Sequence, residues 1–268
     1  MGVGEHDKAF TGSIAQVYQR YLVPMIFEPY AADLAERVAA HGPTRVLEIA
    51  AGTGVATRRL ASALPDSVPI VATDLNPAML TQAAEAGTPR PVQWRQADAT
   101  DLPFGDAEFD AVVCQFGMMF PPDKAKAYSE ARRVLKPGGV FTFSVWDRIE
   151  DNEFADVVTT ALEALFPDNP PRFLARTPHG YHDLDVIRRD LAAGGFTAEA
   201  QVSTVTERSR AQSARAVAIA LCQGSPLRNE VESRLEDATD LAEEAVGRRF
   251  GTGAVDGKMQ AHVITVAR

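Results

Sequence analysis

The sequence predicts an α/β fold, in which a mostly parallel sheet carries helices on both faces. Short apolar runs alternate with helical segments between about residues 44 and 147, and this alternation is typical of βαβ units. Several of the runs are apolar almost throughout, as strands buried on both faces are. The first run passes into a helix through the turn Ala-Ala-Gly-Thr-Gly at residues 50–54. Together these observations indicate an open sheet whose strand ends line a ligand crevice.

The first half of the chain alternates regularly. Residues 14–40 are predicted to be helical, with a break at Pro24. Strands are predicted at TRVLEIA (44–50), VPIVATD (68–74), VQWRQAD (92–98), FDAVVCQF (109–116) and VFTFSVW (140–146). Helices are predicted over 54–64, which stops at Pro65, over 76–87, which Asn76 and Gly87 delimit, and over 124–135, which the turn Lys-Pro-Gly-Gly ends.

The pattern loosens after residue 147. Helices are predicted over 151–166 and 184–195, a strand over 197–206, helical structure over 211–250 and a last strand over 259–268. The segment between the first two helices, PDNPPRFLARTPHGYHD at 167–183, is rich in proline and carries aromatic, arginine and histidine side chains. A loop of this length in a compact domain is usually functional, so we expect it to be a lid.

Composition argues against several classes of protein. The 268 residues carry a formal net charge of −9, and their lysines and arginines are scattered, whereas a nucleic-acid surface needs clustered positive charge. Cys114 and Cys222 match no metal or redox spacing, and no apolar run approaches the length of a membrane span. We therefore expect a cytoplasmic protein with a small-molecule partner and no metal, whose oligomeric state stays open.

The glycine-containing turn would place backbone N–H groups and the positive end of a helix beside a ligand. The dinucleotide-binding pattern G-x-G-x-x-G/A fits it imperfectly, because Thr57 occupies the third position counted from Gly52 and Gly54. Similar turns also occur for packing alone. Other features of the sequence must therefore identify the ligand.

Two aspartates end neighbouring predicted strands. Asp74 follows the glycine turn by about 20 residues, where a carboxylate can accept hydrogen bonds from ribose hydroxyls. Asp98 ends the third strand, where it could receive an adenine amine while the Ala99 N–H meets a ring nitrogen. Each has a plainer alternative, since Asp74 could help to cap a helix and Asp98 could begin a turn. Because parallel strand ends meet at one sheet edge, we expect both to line one crevice.

The segments VLEIAAGTG, TDLNPAML, QADATDLPFGDAEFDAVVCQFGMMF and ARRVLKPGG, in this order, resemble those of class I S-adenosylmethionine-dependent methyltransferases. The resemblance is greatest to the group that includes the ubiquinone/menaquinone-biosynthesis C-methyltransferases (methyltransferase type 11 domain). It implies a Rossmann-like seven-stranded sheet of order 3-2-1-4-5-7-6 with an antiparallel last strand. The implied plan is a single domain over 1–268, made of an N-terminal helical cap (1–40), a cofactor-binding core (44–147), and a lid with substrate-side helices (148–258).

The resemblance also implies the cofactor, S-adenosyl-L-methionine, and the residues that bind it. In the family the glycine turn approaches the methionyl group, the acidic residue after the second strand binds ribose, and the Asp-Ala pair meets adenine. The implied cofactor-binding residues are Tyr21, Ala50, Gly52, Gly54, Asp74, Leu75, Met79, Asp98, Ala99, Gln115 and Phe116. Ala50 stands where the family often has glycine, and Glu48 where it more often has aspartate; we expect binding to survive both changes.

The predicted function is methylation of a small, partly apolar organic molecule at oxygen or carbon. We expect the substrate between the N-terminal helices, residues 118–120, the lid (166–182) and residues 221–227. Tyr18 and Tyr21 lie three apart and could close over the cofactor, or simply pack. Two alternatives are an NAD(P)-dependent oxidoreductase and a non-catalytic cofactor-binding homologue.

Catalysis is predicted to depend mainly on positioning, because the sulfonium of the cofactor is already electrophilic and proximity lowers the barrier by about 7–11 kcal/mol. His179 and His182 in the lid are the candidates for a general base. We expect both to be ordinary surface-loop histidines. His262 is expected to be structural, and His6 and His41 to lie in a tail and a turn.

Overall fold

The computed structural model describes residues 13–268, so His6 lies outside the described residues. A seven-stranded sheet of order β3-β2-β1-β4-β5-β7-β6 forms its centre. The strands are β1 Val46–Glu48, β2 Ile70–Asp74, β3 Gln93–Gln96, β4 Phe109–Gln115, β5 Leu135–Trp146, β6 Gln201–Ala211 and β7 Val255–Ala267. β7 is antiparallel to both of its neighbours, whereas β1 to β5 pair in parallel. The predicted fold, strand order and antiparallel last strand are confirmed.

Helices fill both faces and the C-terminal half. They are α1 Ser13–Val17, a π-helix Tyr18–Phe27, α2 Glu28–Ala40, α3 Val55–Ala63, α4 Pro77–Ala86, α5 Lys124–Val134, α6 Glu153–Leu165, α7 Phe173–Arg176, α8 Leu184–Ala193, α9 Ala214–Gln223, α10 Leu227–Val231 and α11 Leu235–Phe250, with 3-10 turns at Ile149–Asp151 and Glu232–Arg234. From residue 13 to residue 268, none of these helices combines the length and the apolar character that crossing a bilayer requires.

The alternation of side chains along β4 explains why its sequence is apolar throughout. Val112 and Cys114 belong to one buried cluster, with residues of α5 and α8, whereas Ala111 and Val113 belong to another, with residues of α2 and α3. Successive side chains of a strand point to opposite faces. Both faces of the central strands are therefore covered by helices, which explains the mainly apolar composition of these strands.

The predicted break at Pro24 is wrong, because the chain remains helical from residue 13 to residue 40. The residues around Pro24 form a π-helix instead, and the Glu28 N–H donates to the carbonyl of Val23, five residues earlier. Proline lacks an N–H and disturbs the regular i→i−4 ladder, and the wider π-helical turn accommodates it.

The segment Lys-Pro-Gly-Gly does not form the predicted turn between α5 and the next strand. β5 begins at Leu135, directly after α5, and contains this segment. Its pairing with β4 is irregular between Phe109 and Ala111, and Gly138 has a φ of 78°. The glycines thus form a kink inside the strand, where the prediction had placed a turn before it.

Candidate active site

The turn after β1 uses left-handed backbone at three positions. The φ angles are 54° at Ala50, 56° at Gly52 and 81° at Gly54. Glycine adopts this conformation freely, whereas a residue with a Cβ is disfavoured there by about 1–2 kcal/mol. The positive φ gives a physical reason for glycine at position 50 in similar sequences. In this chain Ala50 keeps the same backbone at a cost in strain.

The two glycines of the turn have different surroundings. A Cβ on Gly54 would lie 2.9 Å from the Trp94 ring and 3.2 Å from the Cβ of Ala83. A Cβ on Gly52 would meet only the Tyr18 hydroxyl, at 3.8 Å. Gly54 therefore allows the turn to pack against β3 and α4, whereas the space above Gly52 is open to a ligand.

Asp74, at the end of β2, is buried and holds the glycine turn. One carboxylate oxygen accepts a hydrogen bond from the Gly52 N–H at 2.8 Å, and the other accepts from the Asn76 N–H at 2.8 Å. Burial raises the pKa of this carboxyl, and the N–H donors oppose that shift. Asp74 thus joins the turn to the start of α4, as the capping alternative expected, while lying where the ribose-binding residue was predicted.

Asp98 is exposed and starts a turn. Its Oδ1 accepts hydrogen bonds from the N–H and the hydroxyl of Thr100, at 2.8 and 2.7 Å, and its carbonyl accepts from the Asp101 N–H at 3.0 Å. The plainer alternative for this residue is therefore present in the structure. A carboxylate has two oxygens, so this turn is compatible with a ligand contact through the other.

A cavity of about 120 Å³, the first cavity, lies at this edge of the sheet. Nine of the eleven predicted cofactor-binding residues line it, namely Ala50, Gly52, Asp74, Leu75, Met79, Asp98, Ala99, Gln115 and Phe116. Gly54 and Tyr21 do not belong to this lining. Tyr21 instead lies under the guanidinium of Arg20, 5.2 Å from its ring centroid, and Tyr18 takes the place at the cavity.

Gln115 lines the first cavity and carries an unsatisfied buried acceptor. Its Nε2 donates to the carbonyl of Phe27 at 3.1 Å, which fixes the amide. Its Oε1 is buried and has no hydrogen-bond partner in residues 13–268. An unpaired buried acceptor costs about 1–3 kcal/mol, and a ligand with an N–H or O–H donor would remove that cost.

The charge of the first cavity discriminates between ligands. Its lining includes two carboxylates, Asp74 and Asp98, and within the described chain it contains no lysine, arginine or histidine. A pyrophosphate would meet like charge there, whereas a sulfonium or ammonium group would meet opposite charge. Together with the open Gly52 and the unpaired Gln115 oxygen, the lining fits S-adenosylmethionine better than a dinucleotide.

A second cavity, of about 110 Å³, adjoins the first. Tyr18, Phe116 and Phe120 line both cavities and form a shared wall. Phe116 has a φ of 52°, and its ring stacks on Trp146 at 3.8 Å between centroids. Backbone strain of this kind clusters at functional sites, and here it lies where the two cavities meet.

The second cavity lies where the substrate was predicted. Residues from the π-helix, the lid, α9 and the turn between α9 and α10 surround it, and most of its lining is apolar. Met119 and Phe120 contribute to it as expected, whereas Met118 lines the first cavity. Phe154, Asn152 and Lys258 also line it, and no motif in the sequence marks them as residues of this site.

The histidines of the lid differ from each other. The expectation of an ordinary surface loop is wrong for His179, which is 6% exposed and lines the second cavity. Its Nδ1 lies 2.9 Å from the Asp147 carbonyl oxygen, and burial lowers its pKa to about 4. His182 is half-buried, with Nδ1 2.7 Å from the His179 carbonyl, and lines neither cavity. His262 is buried between Thr204 and Asp147.

Replacing Gly117 by alanine is expected to destabilise the fold by about 1–3 kcal/mol, the usual cost of overpacking. The added Cβ would lie 2.5 Å from both the Ala50 Cβ and the Cys114 Sγ. Urea denaturation should show the loss, and Ala50→Gly in the same chain should recover part of it. Gly253→Ala is the control, since a Cβ there meets nothing within 4 Å. Equal stability of Gly117→Ala and wild type would contradict this packing.

Replacing Tyr18 by alanine is expected to weaken binding of S-adenosylhomocysteine by about tenfold, since an aromatic wall residue contributes one or two kcal/mol. Tyr18 lines both cavities and stacks on Phe27 at 5.1 Å. Tyr21→Ala removes the same side chain from a position outside both cavities and should leave the affinity unchanged. Isothermal calorimetry measures both. A larger loss for Tyr21→Ala than for Tyr18→Ala would reverse the assignment.

Comparison with known proteins agrees with this architecture. A family model described as "Methyltransferase domain" matches residues 46–139. The chain is 42% identical over 165 residues to the "Ubiquinone/menaquinone biosynthesis C-methyltransferase UbiE" of Ectopseudomonas mendocina, a match that covers 57% of this chain and 64% of that protein. The chain thus spans less than two thirds of the length of this curated relative.

Two solved structures share the fold at low sequence identity. One is the phosphoethanolamine N-methyltransferase 2 of Haemonchus contortus in complex with S-adenosyl-L-methionine (TM-score 0.59, 17% identity, 99% of this chain and 60% of that one). The other is the [4+2]-cyclase SpnF (TM-score 0.55, 20% identity, 90% of this chain and 80% of that one). The resemblance inferred from the sequence is confirmed: residues 46–139 match the methyltransferase domain model, the chain is similar to a ubiquinone/menaquinone-biosynthesis C-methyltransferase, and its fold is that of solved S-adenosylmethionine-dependent methyltransferases.

Proposed function

We propose that this protein transfers the methyl group of S-adenosylmethionine to a small, partly apolar organic molecule. The observation that carries the proposal is the adjacency of two chemically different cavities. The first is lined by two carboxylates and by Gln115, whose buried amide oxygen has no partner in residues 13–268, and the second is mainly apolar. A methyl donor in one and an acceptor in the other would meet at the shared wall of Tyr18, Phe116 and Phe120.

The residues that follow β1, β2 and β3 would each hold a different part of the cofactor. Gly52 would admit the methionyl group, Asp74 would accept from the ribose, and Asp98 with Ala99 would meet the adenine. Gln115 would accept a hydrogen bond through its free Oε1. The cofactor supplies an activated methyl group on a cationic sulfur, and the carboxylates of the cavity favour that charge.

The protein's own contribution to the reaction is proposed to be positioning. The shared wall and the lid would exclude water and restrict the acceptor to the line of attack. Holding two reactants in such a geometry supplies about 7–11 kcal/mol of barrier lowering. The N-terminal helices up to residue 40 would then serve as a cap, residues 44–147 as the cofactor-binding core, and residues 148–258 as the lid and substrate side of a single domain.

The class of methyl acceptor is narrowed by the chemistry of the second cavity and by similarity to known proteins. An apolar cavity favours an uncharged molecule, and the name of the UbiE relative concerns methylation at carbon in quinone biosynthesis. Hydroquinones and phenols are therefore the first acceptors to test, with methylation at oxygen and at carbon both open. SpnF, which is named as a [4+2]-cyclase, shows that proteins of this fold also catalyse other reactions.

The proposed methyl transfer is tested by measuring turnover. The protein is incubated with S-adenosylmethionine and a panel of naphthols, naphthohydroquinones, amines and thiols, and release of S-adenosylhomocysteine is measured. We expect release that depends on a phenolic or hydroquinone acceptor. Calorimetric binding of S-adenosylhomocysteine without turnover for any acceptor would favour a non-catalytic homologue, and binding of NADPH in its place would favour an oxidoreductase.

A further inference from the structure

The polar side chains that line the second cavity are almost all committed to the protein itself. The Asn152 amide nitrogen donates to the carbonyls of Asp147, Arg148 and Gln260, and its oxygen accepts from the Gln260 N–H. Lys258 forms an ion pair with Asp151 at 2.7 Å. Both side chains are therefore held in place by protein partners, and the charge of Lys258 is balanced by that of Asp151.

The two serines of the cavity are engaged in the same way. The Ser209 hydroxyl donates to the carbonyl of Met25 at 3.1 Å. The Ser225 hydroxyl donates to the carbonyl of Leu221 at 2.7 Å and accepts from the Leu227 N–H at 3.2 Å. Tyr18 belongs to the shared wall. Among the polar side chains of the cavity, His179 therefore requires separate consideration.

The tautomer of His179 follows from its partner. A carbonyl oxygen can only accept, so the Nδ1 that lies 2.9 Å from the Asp147 carbonyl carries the proton and donates. The other ring nitrogen, Nε2, is then an acceptor. The ring packs against Trp146 at 5.9 Å between centroids, and the backbone N–H of His179 donates to Leu174 at 3.0 Å. The imidazole is thus fixed in position, and its acceptor nitrogen serves no described contact.

We propose that His179 is the specificity-determining residue of the second cavity, where its Nε2 accepts a hydrogen bond from a hydroxyl group of an otherwise apolar, uncharged substrate. This inference deepens the proposed methyl transfer and rests on it. The ring offers one fixed hydrogen-bond acceptor in a mainly apolar cavity. A substrate with one matching donor, such as a hydroxyl group, is therefore expected to bind more tightly than one without it. A carboxylate would be repelled by the Nε2 lone pair, and an ammonium group would be desolvated without a free counter-ion.

The same arrangement would orient the substrate atom that receives the methyl group. The Asp147 carbonyl, at the end of β5, holds the ring at the lid side of the cavity, and Phe116, with Trp146 stacked on it, stands on the cofactor side. A hydroxylated molecule bound in this cavity would be fixed by its O–H at His179 and by contact of its apolar part with the aromatic side chains of the wall. His179 would act as a positioning residue, while the methyl group arrives through the shared wall.

The experiment compares 1-naphthol with 1-methoxynaphthalene, which has the same ring but no hydroxyl donor. Binding is measured on the full protein by fluorescence titration, in the presence and absence of S-adenosylhomocysteine. Wild type should prefer the naphthol by about tenfold, the ratio that one net hydrogen bond supplies. His179→Asn keeps a donor for the Asp147 carbonyl and removes the Nε2 acceptor, so its preference should fall to about one. His179→Gln offers an acceptor nearer to the Nε2 position and should restore part of the preference.

A second measurement works on wild type alone. In ¹⁵N NMR of histidine-labelled protein, the unprotonated Nε2 resonance of His179 should move upfield when naphthol is added, and should stay in place with 1-methoxynaphthalene. Equal affinity of wild type for the two probes, or an unmoved Nε2 resonance with bound naphthol, would overturn the proposal. So would a preference that survives in His179→Asn. None of these readouts requires turnover, so a failure of the methyl-transfer proposal is seen separately, as absence of S-adenosylhomocysteine binding and release.

Discussion

Asp74→Ala is expected to weaken S-adenosylhomocysteine binding by about 10- to 100-fold, because a hydrogen bond to a charged acceptor contributes about 1.5–3 kcal/mol. The carboxylate lies at the first cavity and also accepts from the Gly52 and Asn76 N–H groups. Its loss removes the ribose acceptor and releases the glycine turn. Isothermal calorimetry measures the affinity, and thermal denaturation measures the structural part.

Three variants separate these contributions. Asp74→Asn retains an acceptor without charge, and should lose affinity while changing stability less than alanine does. Asp98→Ala should cost less than Asp74→Ala, because the Ala99 N–H remains available. Asp66→Ala removes a carboxylate that is 95% exposed and should bind as wild type does. Wild-type affinity in both Asp74→Ala and Asp98→Ala would place the cofactor elsewhere.

Glu48→Gln is expected to change the pH dependence of stability. Burial raises the pKa of this carboxyl from 4.5 to about 8, so between these values the folded protein holds a proton that the unfolded chain has released. Stability must then fall as pH rises from about 5 to 8. Glutamine cannot ionise, so the variant should gain stability relative to wild type, by about 3 kcal/mol, between pH 5 and pH 8.

Urea denaturation across this pH range measures the gain. Glu36 is exposed on α2, and Glu36→Gln should reproduce the wild-type pH dependence. Burial also raises the pKa of Asp74. Because Asp74 is present in all of these proteins, its contribution to the pH dependence cancels in the comparison. Parallel stability curves for wild type and Glu48→Gln would show that Glu48 ionises in the fold as easily as in the unfolded chain.

The strands and their order could be predicted because their signals are local or are part of a resemblance. The apolar runs that became β1, β2 and β4 need no knowledge of their neighbours, since burial on both faces fixes their composition. The π-helix around Pro24 could not be predicted, because the gain from burying Leu22 and Met25 against the core offsets the disturbance that proline causes. Local propensity is overridden there by tertiary packing.

The residues of the candidate site also differ in whether they could be predicted from the sequence. Asp74 and Gln115 end β2 and β4, and Asp98 follows β3 by two residues, so the parallel arrangement of these strands brings all three to one edge of the sheet. His179 was expected in a surface loop, because nothing near it in sequence shows that the lid folds over an apolar cavity. Lys258 lines that cavity from a strand at the far end of the chain. Such contacts depend on pairs of segments that no short pattern describes.

A crystal structure of the protein with S-adenosylhomocysteine would locate the cofactor directly. We expect the ribose beside Asp74, the adenine beside Asp98 and Ala99, and the sulfur facing the second cavity across Tyr18 and Phe116. A nucleoside bound outside the first cavity, or a sulfur directed away from the shared wall, would contradict it.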